Sequence, residues 1–212
     1  MERNRGPAEA PNLGEPSTPR PAASVVLLRR GGSHGDRSLE VLLLKRSDSA
    51  AFMPGVWVFP GGSVDPADGD GDAAYRACAV RELAEEAAIE LGAEDELVLF
   101  SRWITPEVVS TRFDAWFFLA LAPAHTPPRP DGGETTEAAW FEPGAALEAQ
   151  AAGDLVLAFP TISQLRELLP YRSSDEAIAA YRERTIEPIL PKVVGSREDH
   201  RVVLPGDPDY PA

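Results

Sequence analysis

The chain has a single cysteine, Cys78, and therefore holds neither an internal disulfide nor a zinc cluster of paired cysteines. That scarcity fits a reducing, intracellular compartment, and the cytoplasm is the expected location. No run of eighteen apolar residues occurs, so nothing in the sequence is expected to span a membrane. The first twenty residues carry Arg3, Arg5 and Arg20 but no apolar segment, so no secretory signal is expected; Pro211-Ala212 is not a peroxisomal Ser-Lys-Leu address. Basic residues are also scarce. Lys and Arg number 20 against 34 Asp and Glu, a formal net charge of −14, which leaves no basic excess to displace counterions from nucleic acid or an anionic membrane. His34, His125 and His200 have no partner visible in the sequence and are expected in solvent. What remains is ordinary for a globular protein, 43% hydrophobic and 25% charged, and 212 residues suffice for one domain with a sizeable core.

Residues 1–20, rich in Pro, Glu, Gly and Ser, are expected to form a disordered tail ahead of a single domain over 21–212. Ala22–Arg29 and Leu39–Arg46 read as strands, the second apolar enough to be buried on both faces. Leu97–Thr105 and Thr111–Ala122 read as two more, joined by a turn at Pro106-Glu107. Trp103, Trp116, Phe117 and Phe118 should then alternate between two core faces, each open to stacking on a base. Ala124–Gly133 is a Pro-rich loop, followed by a strand ending in Trp140-Phe141. Helices are expected over Gly144–Ala151, Ile162–Leu169 and Glu176–Arg184, the last capped by Ser173-Ser174-Asp175. Glu187–Val194 reads as extended and Arg201–Leu204 as a last strand, so that 143–212 forms a helical extension packed on the domain, able to cover an active-site mouth or to form a homodimer contact.

The chemistry concentrates in Phe59-Pro60-Gly61-Gly62 and, nineteen residues after the second glycine, Arg81-Glu82-Leu83-Ala84-Glu85-Glu86. Val80, Leu83, Ala84, Ala87 and Leu91 fall at helical spacing and predict one apolar face, with Glu82, Glu85 and Glu86 on the opposite one. Carboxylates within one turn repel and raise one another's proton affinity. A hard divalent cation removes that penalty, and oxygen ligands suit Mg2+ or Mn2+; it would also reverse the local field for a polyphosphate that a chain of this charge otherwise repels. Arg81 sits four residues before Glu85, within reach of a charge-assisted contact. The glycine pair allows backbone to approach a metal or phosphate closely. A solvated acidic face is the plain alternative.

These residues resemble the Nudix box of the Nudix hydrolases, Gly-x5-Glu-x7-Arg-Glu-U-x-Glu-Glu-x-Gly-U with U apolar. The resemblance implies an α/β/α sandwich with a mixed β-sheet, here with extra C-terminal helices, and metal-dependent cleavage of a nucleoside diphosphate linked to a group X. It implies Glu82, Glu85, Glu86 and a backbone carbonyl at Gly61 as ligands of Mg2+ or Mn2+, Glu82 as base or bridging ligand, and Arg81 as the residue that orients the carboxylates. Three departures stand out. Gly62 to Arg81 is about five residues longer than the family spacing, filled by the acidic loop 65–72; Asp68 stands six residues after Gly62, at the place of the first box Glu; and Ala88 replaces the late glycine.

A second stretch is similar to the upstream signature of coenzyme A diphosphatases, Leu-Leu-Thr-x-Arg-Ser/Ala-x3-Arg-x3-Gly-x3-Phe-Pro-Gly-Gly. Leu42, Leu43, Arg46, Ser47, Gly55 and Phe59–Gly62 keep its spacing, while Leu44 stands for the Thr and Ala51 for the second Arg. Phe52–Gly55, Arg112-Phe113-Asp114 and Leu204–Pro208 are similar to phrases of the mammalian peroxisomal branch, which also has an interrupted box. Arg46, Ser47, Gly61, Gly62 and Arg112 are the substrate-binding candidates, with a strand-end Arg46 and a structural Arg112–Asp114 pair as the alternatives. Glu134, then Glu137, are candidates for a further ligand or base, or for plain surface residues. Coenzyme A or its thioesters are the expected substrate, with ADP-ribose, NADH, sugar nucleotides or an inert nucleotide-binding module as alternatives.

Overall fold

The computed structural model describes residues 14–30, 39–50, 52–124, 126–195 and 200–211. Ala51, His34 and His125 lie outside the described residues, as does the side chain of His200. Eight strands form one mixed sheet: β1 (Arg20–Arg30), β2 (Leu39–Arg46), β3 (Trp57–Val58), β4 (Gly61–Ser63), β5 (Val98–Ile104), β6 (Phe113–Leu121), β7 (Thr135–Phe141) and β8 (Pro188–Ile189). The path runs β3-β2-β1-β6-β5-β8, with β4 on β1 and β7 on β2. β1–β6 and β5–β8 are parallel and the other pairs antiparallel. A separate antiparallel pair joins β9 (Lys192–Gly195) to β10 (His200–Val203).

Both faces of the sheet are covered, which gives the α/β/α sandwich. On one face Val25, Leu27, Leu42, Leu44, Phe118 and Ala120 pack against α1 (Gly71–Ala87). On the other, Val26, Leu28, Val41, Leu43, Phe100, Trp103 and Phe117 pack against α2 (Pro143–Ala152), α3 (Phe159–Leu168) and α4 (Ser174–Tyr181). The neighbours 117 and 118 in β6 thus enter different cores, because side chains alternate across a strand. β2 is buried on both faces from Leu39 to Leu44, since each face carries a helical layer. The helices after residue 142 therefore form one of the two layers. Ser173 caps α4 as expected, its hydroxyl accepting the Glu176 N–H at 3.2 Å.

Order begins earlier than composition suggests. The Ser17 hydroxyl donates to the Ser110 carbonyl at 2.9 Å, and Arg20 already belongs to β1, so the expected tail does not extend to residue 20. β3 and β4, of two and three residues, are too short to leave a periodic signal.

One edge of β1 is divided. Leu28–Arg30 pair with β2, whereas Ala22–Ser24 pair with β4, so β1 and β2 part company and leave a fork. The helix α1 lies across it, touching β1, β4 and β6. This corrects the expected apolar face: Ala79, Leu83 and Ala87 are buried, Val80 and Ala84 are only half-buried, and Leu91 is buried beyond the helix end. Glu86, expected on the opposite face, is buried as well. Two adjacent helical rows face the protein, 79/83/87 toward the β1–β6 core and 78/82/86 toward β4.

The helix stops at Ala88, which holds a left-handed φ of 53° and sends its N–H to the Ala84 carbonyl. An L side chain costs roughly 1 kcal/mol in that conformation, where glycine costs little. Ala88→Gly is expected to stabilise the protein by about 0.5–1 kcal/mol, a rise of about 2 °C in calorimetric Tm. A lowered Tm would show that the Ala88 methyl contributes packing that outweighs the strain.

Candidate active site

The row Cys78, Glu82, Glu86 repeats every four residues and runs along β4. The Gly61 N–H donates to Glu86 Oε2 at 2.9 Å. Glu82 lies over Gly62, where a Cβ would fall 2.6 Å from the carboxyl carbon Cδ. A Cβ on Gly61 would overlap the β1 backbone at Ala23 and Ser24. Glycine at 61 is thus required for strand pairing, and glycine at 62 leaves the space that the Glu82 carboxylate occupies.

Burial sets the electrostatics. Glu86 is 4% exposed, and burial pushes its acid up to about 7. The Gly61 N–H and the Arg46 guanidinium oppose that push, and the charges of Glu82 and Glu134 add to it. Burial likewise raises Glu82, with Arg81 opposing and Glu85 and Glu134 adding. Glu85 is exposed. The carboxylates therefore grade from buried to solvated rather than sharing one outer face.

Arg81 binds more than sequence spacing suggests. Its Nη1 donates to Glu82 Oε1 at 2.8 Å and to Glu85 Oε2 at 2.9 Å. Its Nε and Nη2 form a two-pronged contact with Asp68, each bond 3.0 Å long, and Nη2 also reaches the Ser63 carbonyl at 3.2 Å. Asp68 is held below the usual carboxylate range chiefly by Arg81. A 3-10 turn over Pro66–Asp68, with reciprocal Asp65–Asp68 capping bonds, folds the longer loop so that Asp68 still meets Arg81. Cys78 is a packing residue: its Sγ donates to the Gly62 carbonyl at 3.6 Å, and burial pushes the thiol up to about 12.

Residues distant in sequence close the site. Arg46 Nε donates to the Phe52 carbonyl at 2.9 Å, and the Arg46 charge acts on Glu86. The Ser47 N–H donates to the Glu134 carbonyl at 2.8 Å, and the Glu134 charge acts on both Glu82 and Glu86. The charges of Arg46 and Glu134 thus bear on the carboxylate row, whereas Ser47 adjoins Glu134 through its backbone and turns its hydroxyl to that of Ser49 at 2.8 Å. Arg112 takes a scaffold place instead. It is 7% exposed, with Nε donating to the Thr105 carbonyl at 2.9 Å and Nη1 to the Ser17 carbonyl at 2.7 Å. Asp114 pairs with Arg102 rather than Arg112, at 2.8 and 2.6 Å. Glu137 pairs with Lys45 at 2.7 Å. Of the aromatic candidates, Trp103, Phe117 and Phe118 are buried and Trp116 stacks on Tyr75 with centroids 4.5 Å apart. Asp131 and Thr135, which hold Glu134 in place, were not identified from the sequence; the Asp-x-x-Glu-Thr turn pattern is the signal that points to them.

Among the described residues no three acidic, His or Cys side chains already converge as a metal cage. Arg81 engages Glu82 and Glu85, and the Gly61 N–H engages Glu86. The donor set nevertheless fits a hard divalent cation: every side-chain donor is an oxygen, burial raises the proton affinity of half-buried Glu82 and pushes the acid of buried Glu86 up to about 7, and a bound cation offsets that cost. In metal-free protein the folded state binds a proton at Glu86 that the unfolded state releases near pH 4.5, so this group's cost is absent below that pH and complete above about 7. Glu86→Gln is therefore expected to raise stability in EDTA at pH 8 by roughly 2 kcal/mol, with little effect at pH 4. Equal denaturation midpoints for both proteins at pH 8 would contradict a costly buried charge.

Comparison with known proteins agrees with this geometry. Residues 18–159 match the NUDIX domain family. The chain is 27% identical over 227 aligned positions to nudix hydrolase 7 of Caenorhabditis elegans, covering 90% of this chain and 74% of that protein. It is 25% identical to an acyl-coenzyme A diphosphatase of Xenopus laevis, covering 81% and 71%. The crystal structure of a Nudix hydrolase from Alicyclobacillus acidocaldarius superposes with a TM-score of 0.69 at 25% identity, covering 77% of this chain and 96% of that one. With the carboxylate row seated on its glycine pair and the family match spanning β1–β7 and α1, this chain belongs to the Nudix family and is a pyrophosphate-cleaving hydrolase.

Proposed function

We propose that the enzyme hydrolyses the pyrophosphate bond of coenzyme A or its thioesters, giving 3′,5′-ADP and 4′-phosphopantetheine or its acylated form. The observation that carries this reading is the stretch from Arg46 to Gly62, which keeps the spacing of the coenzyme A diphosphatase signature and runs from β2 to the glycine pair beneath the carboxylates. The Xenopus laevis acyl-coenzyme A diphosphatase among its relatives supports it. Ala51, where the signature has a second arginine, favours a second reading: ADP-ribose, NADH or a sugar nucleotide, which need not present the same phosphate to a guanidinium.

Glu82, Glu85, Glu86 and the Gly61 backbone would hold Mg2+ or Mn2+. When bound, the ion supplies charge neutralisation for the phosphates and acidifies water. Arg46 and the Ser47 hydroxyl bind a phosphate of the substrate, a guanidinium being suited to paired contacts with phosphate oxygens. Glu134 or Glu82 takes a proton from the attacking water as the new P–O bond forms, and the bridging oxygen leaves with the second phosphate. Arg81, anchored by Asp68, keeps Glu82 and Glu85 in register. The substrate is a small nucleotide rather than a nucleic acid, and the proposed location is the cytoplasm. Among the described residues no helix is long and apolar enough to cross a membrane.

Glu85→Gln and Glu86→Gln are each expected to lower turnover by at least about a hundredfold with the fold intact, roughly 3 kcal/mol of transition-state stabilisation. Turnover surviving either change would refute the ligand assignment. A Mg2+-dependent panel of coenzyme A, acyl-coenzyme A, ADP-ribose, NADH and sugar nucleotides, with products resolved by mass, decides the substrate. Preferential release of 3′,5′-ADP supports the first reading; cleavage of ADP-ribose or NADH in its place supports the second. No cleavage with either metal would identify a binding module that has lost catalysis.

A further inference from the structure

The end of α1 leaves carbonyls without helical partners, as every helix end does. Two of them are taken by the chain leading into β7 and by the first residue of that strand. The Arg129 N–H donates to the Ala87 carbonyl at 2.8 Å, and the Thr135 hydroxyl lies 3.1 Å from the Glu86 carbonyl oxygen. Thr135 is completely buried.

It reaches that place through an irregularity in the sheet. Leu42 faces Trp140 and Leu44 faces Ala138, all four on the α1 side. Regular alternation would bring Thr136 opposite Arg46. The register shifts between Lys45 and Arg46, and Thr135 stands opposite Arg46 instead. A bulge of this kind re-aims side chains, and bulges cluster beside active sites. Here it turns the Thr135 hydroxyl toward α1 and leaves Thr136 exposed.

Asp131 completes the arrangement. Its Oδ1 accepts the Thr135 N–H at 2.7 Å and lies 2.8 Å from the Thr135 hydroxyl; its Oδ2 accepts the Glu134 N–H at 3.0 Å. The Glu134 carbonyl accepts the Ser47 N–H at 2.8 Å. Glu134 is thereby held on both sides of its backbone, by Asp131 and by the residue next to Arg46. Its charge bears on Glu82 and Glu86.

We infer that Thr135 and Asp131 are positioning residues: through the β7 bulge they tie the turn carrying Glu134 to the carbonyl of Glu86, so that Glu134 keeps its place against the carboxylate row. The inference rests on the reading of Glu134 as a participant in hydrolysis. Asp131 and Thr135 act through Glu134 and touch neither substrate nor the reacting atoms.

The test uses the full chain with Thr135→Val, Thr135→Ser, Glu134→Gln and the double variant Glu134→Gln/Thr135→Val. Thr135→Val removes the hydroxyl at nearly constant shape. Amide hydrogen exchange reads the clamp without any substrate or metal: exchange at Glu134 and Ser47 should accelerate at least about tenfold in Thr135→Val and return toward the starting rate in Thr135→Ser. Unchanged exchange at these amides overturns the clamp whatever the activity does. With a substrate from the panel, Thr135→Val should lower kcat about 10- to 100-fold with KM within about twofold, and Thr135→Ser should restore it. The double variant should lose no more than Glu134→Gln alone, because interactions acting through one residue are not additive. Additive losses, or a normal kcat in Thr135→Val beside an impaired Glu134→Gln, overturn the clamp and leave the role of Glu134 standing. A normal kcat in Glu134→Gln removes that role and the positioning inference with it. Loss of the cooperative thermal transition in Thr135→Val, with Thr135→Ser also inactive, assigns Thr135 to folding alone.

Discussion

The structure depends on seating two carboxylates on a pair of glycines. Glu86 accepts the Gly61 N–H, and Glu82 occupies the space that a side chain at residue 62 would fill. A helix with an acidic row cannot ordinarily bury that row, because an ionised carboxylate loses its hydration without compensation. Backbone N–H, Arg46 and Arg81 supply part of the compensation, and the proton affinity of Glu82 and Glu86 rises to reflect the remainder. That unmet demand makes the row suited to a hard cation. The same demand lowers the stability of the metal-free fold at neutral pH, so binding capacity and stability oppose each other at this helix.

The rest of the architecture holds the seat in place. β1 carries β2 on one half of its edge and β4 on the other, and the fork between them is where α1 comes down. The Arg81–Asp68 contact pins the preceding loop, and the Arg129–Thr135 segment caps the far end of the helix. α1 is thus held at both ends as well as along its buried face. On the opposite side of the sheet, α2, α3 and α4 complete the second core, which lets β2 be apolar on both faces.

Much of this was legible in the chain. The strand at Leu39–Arg46 and the division of Phe117 and Phe118 between two faces follow from apolar patterning, and the structure agrees on both. The glycine pair and Arg81–Glu86 pointed to the site in combination, since a row of carboxylates alone is more often a solvated face. The expected apolar face of α1 failed for a physical reason. Periodicity assigns a carboxylate to water, whereas the glycines opposite Glu82 and Glu86 made room for them inside. Arg112 and Asp114 are neighbours of apolar residues in sequence, and nothing local reveals that their partners are Ser17, Thr105 and Arg102.

By itself the sequence determined the fold family, the carboxylate row and the glycine pair, because these depend on residue type at fixed short spacing. Tertiary structure alone decided the rest. It set which carboxylate is buried, since burial depends on how a helix sits over a fork that no spacing encodes. It brought Asp68 to Arg81 through a turn in a longer loop. It held Glu134 near residues about fifty positions earlier, through backbone bonds to Ser47 and to the Asp131 side chain. It turned Thr135 toward α1, because a one-residue shift in a strand register moves a side chain to the other face of a sheet.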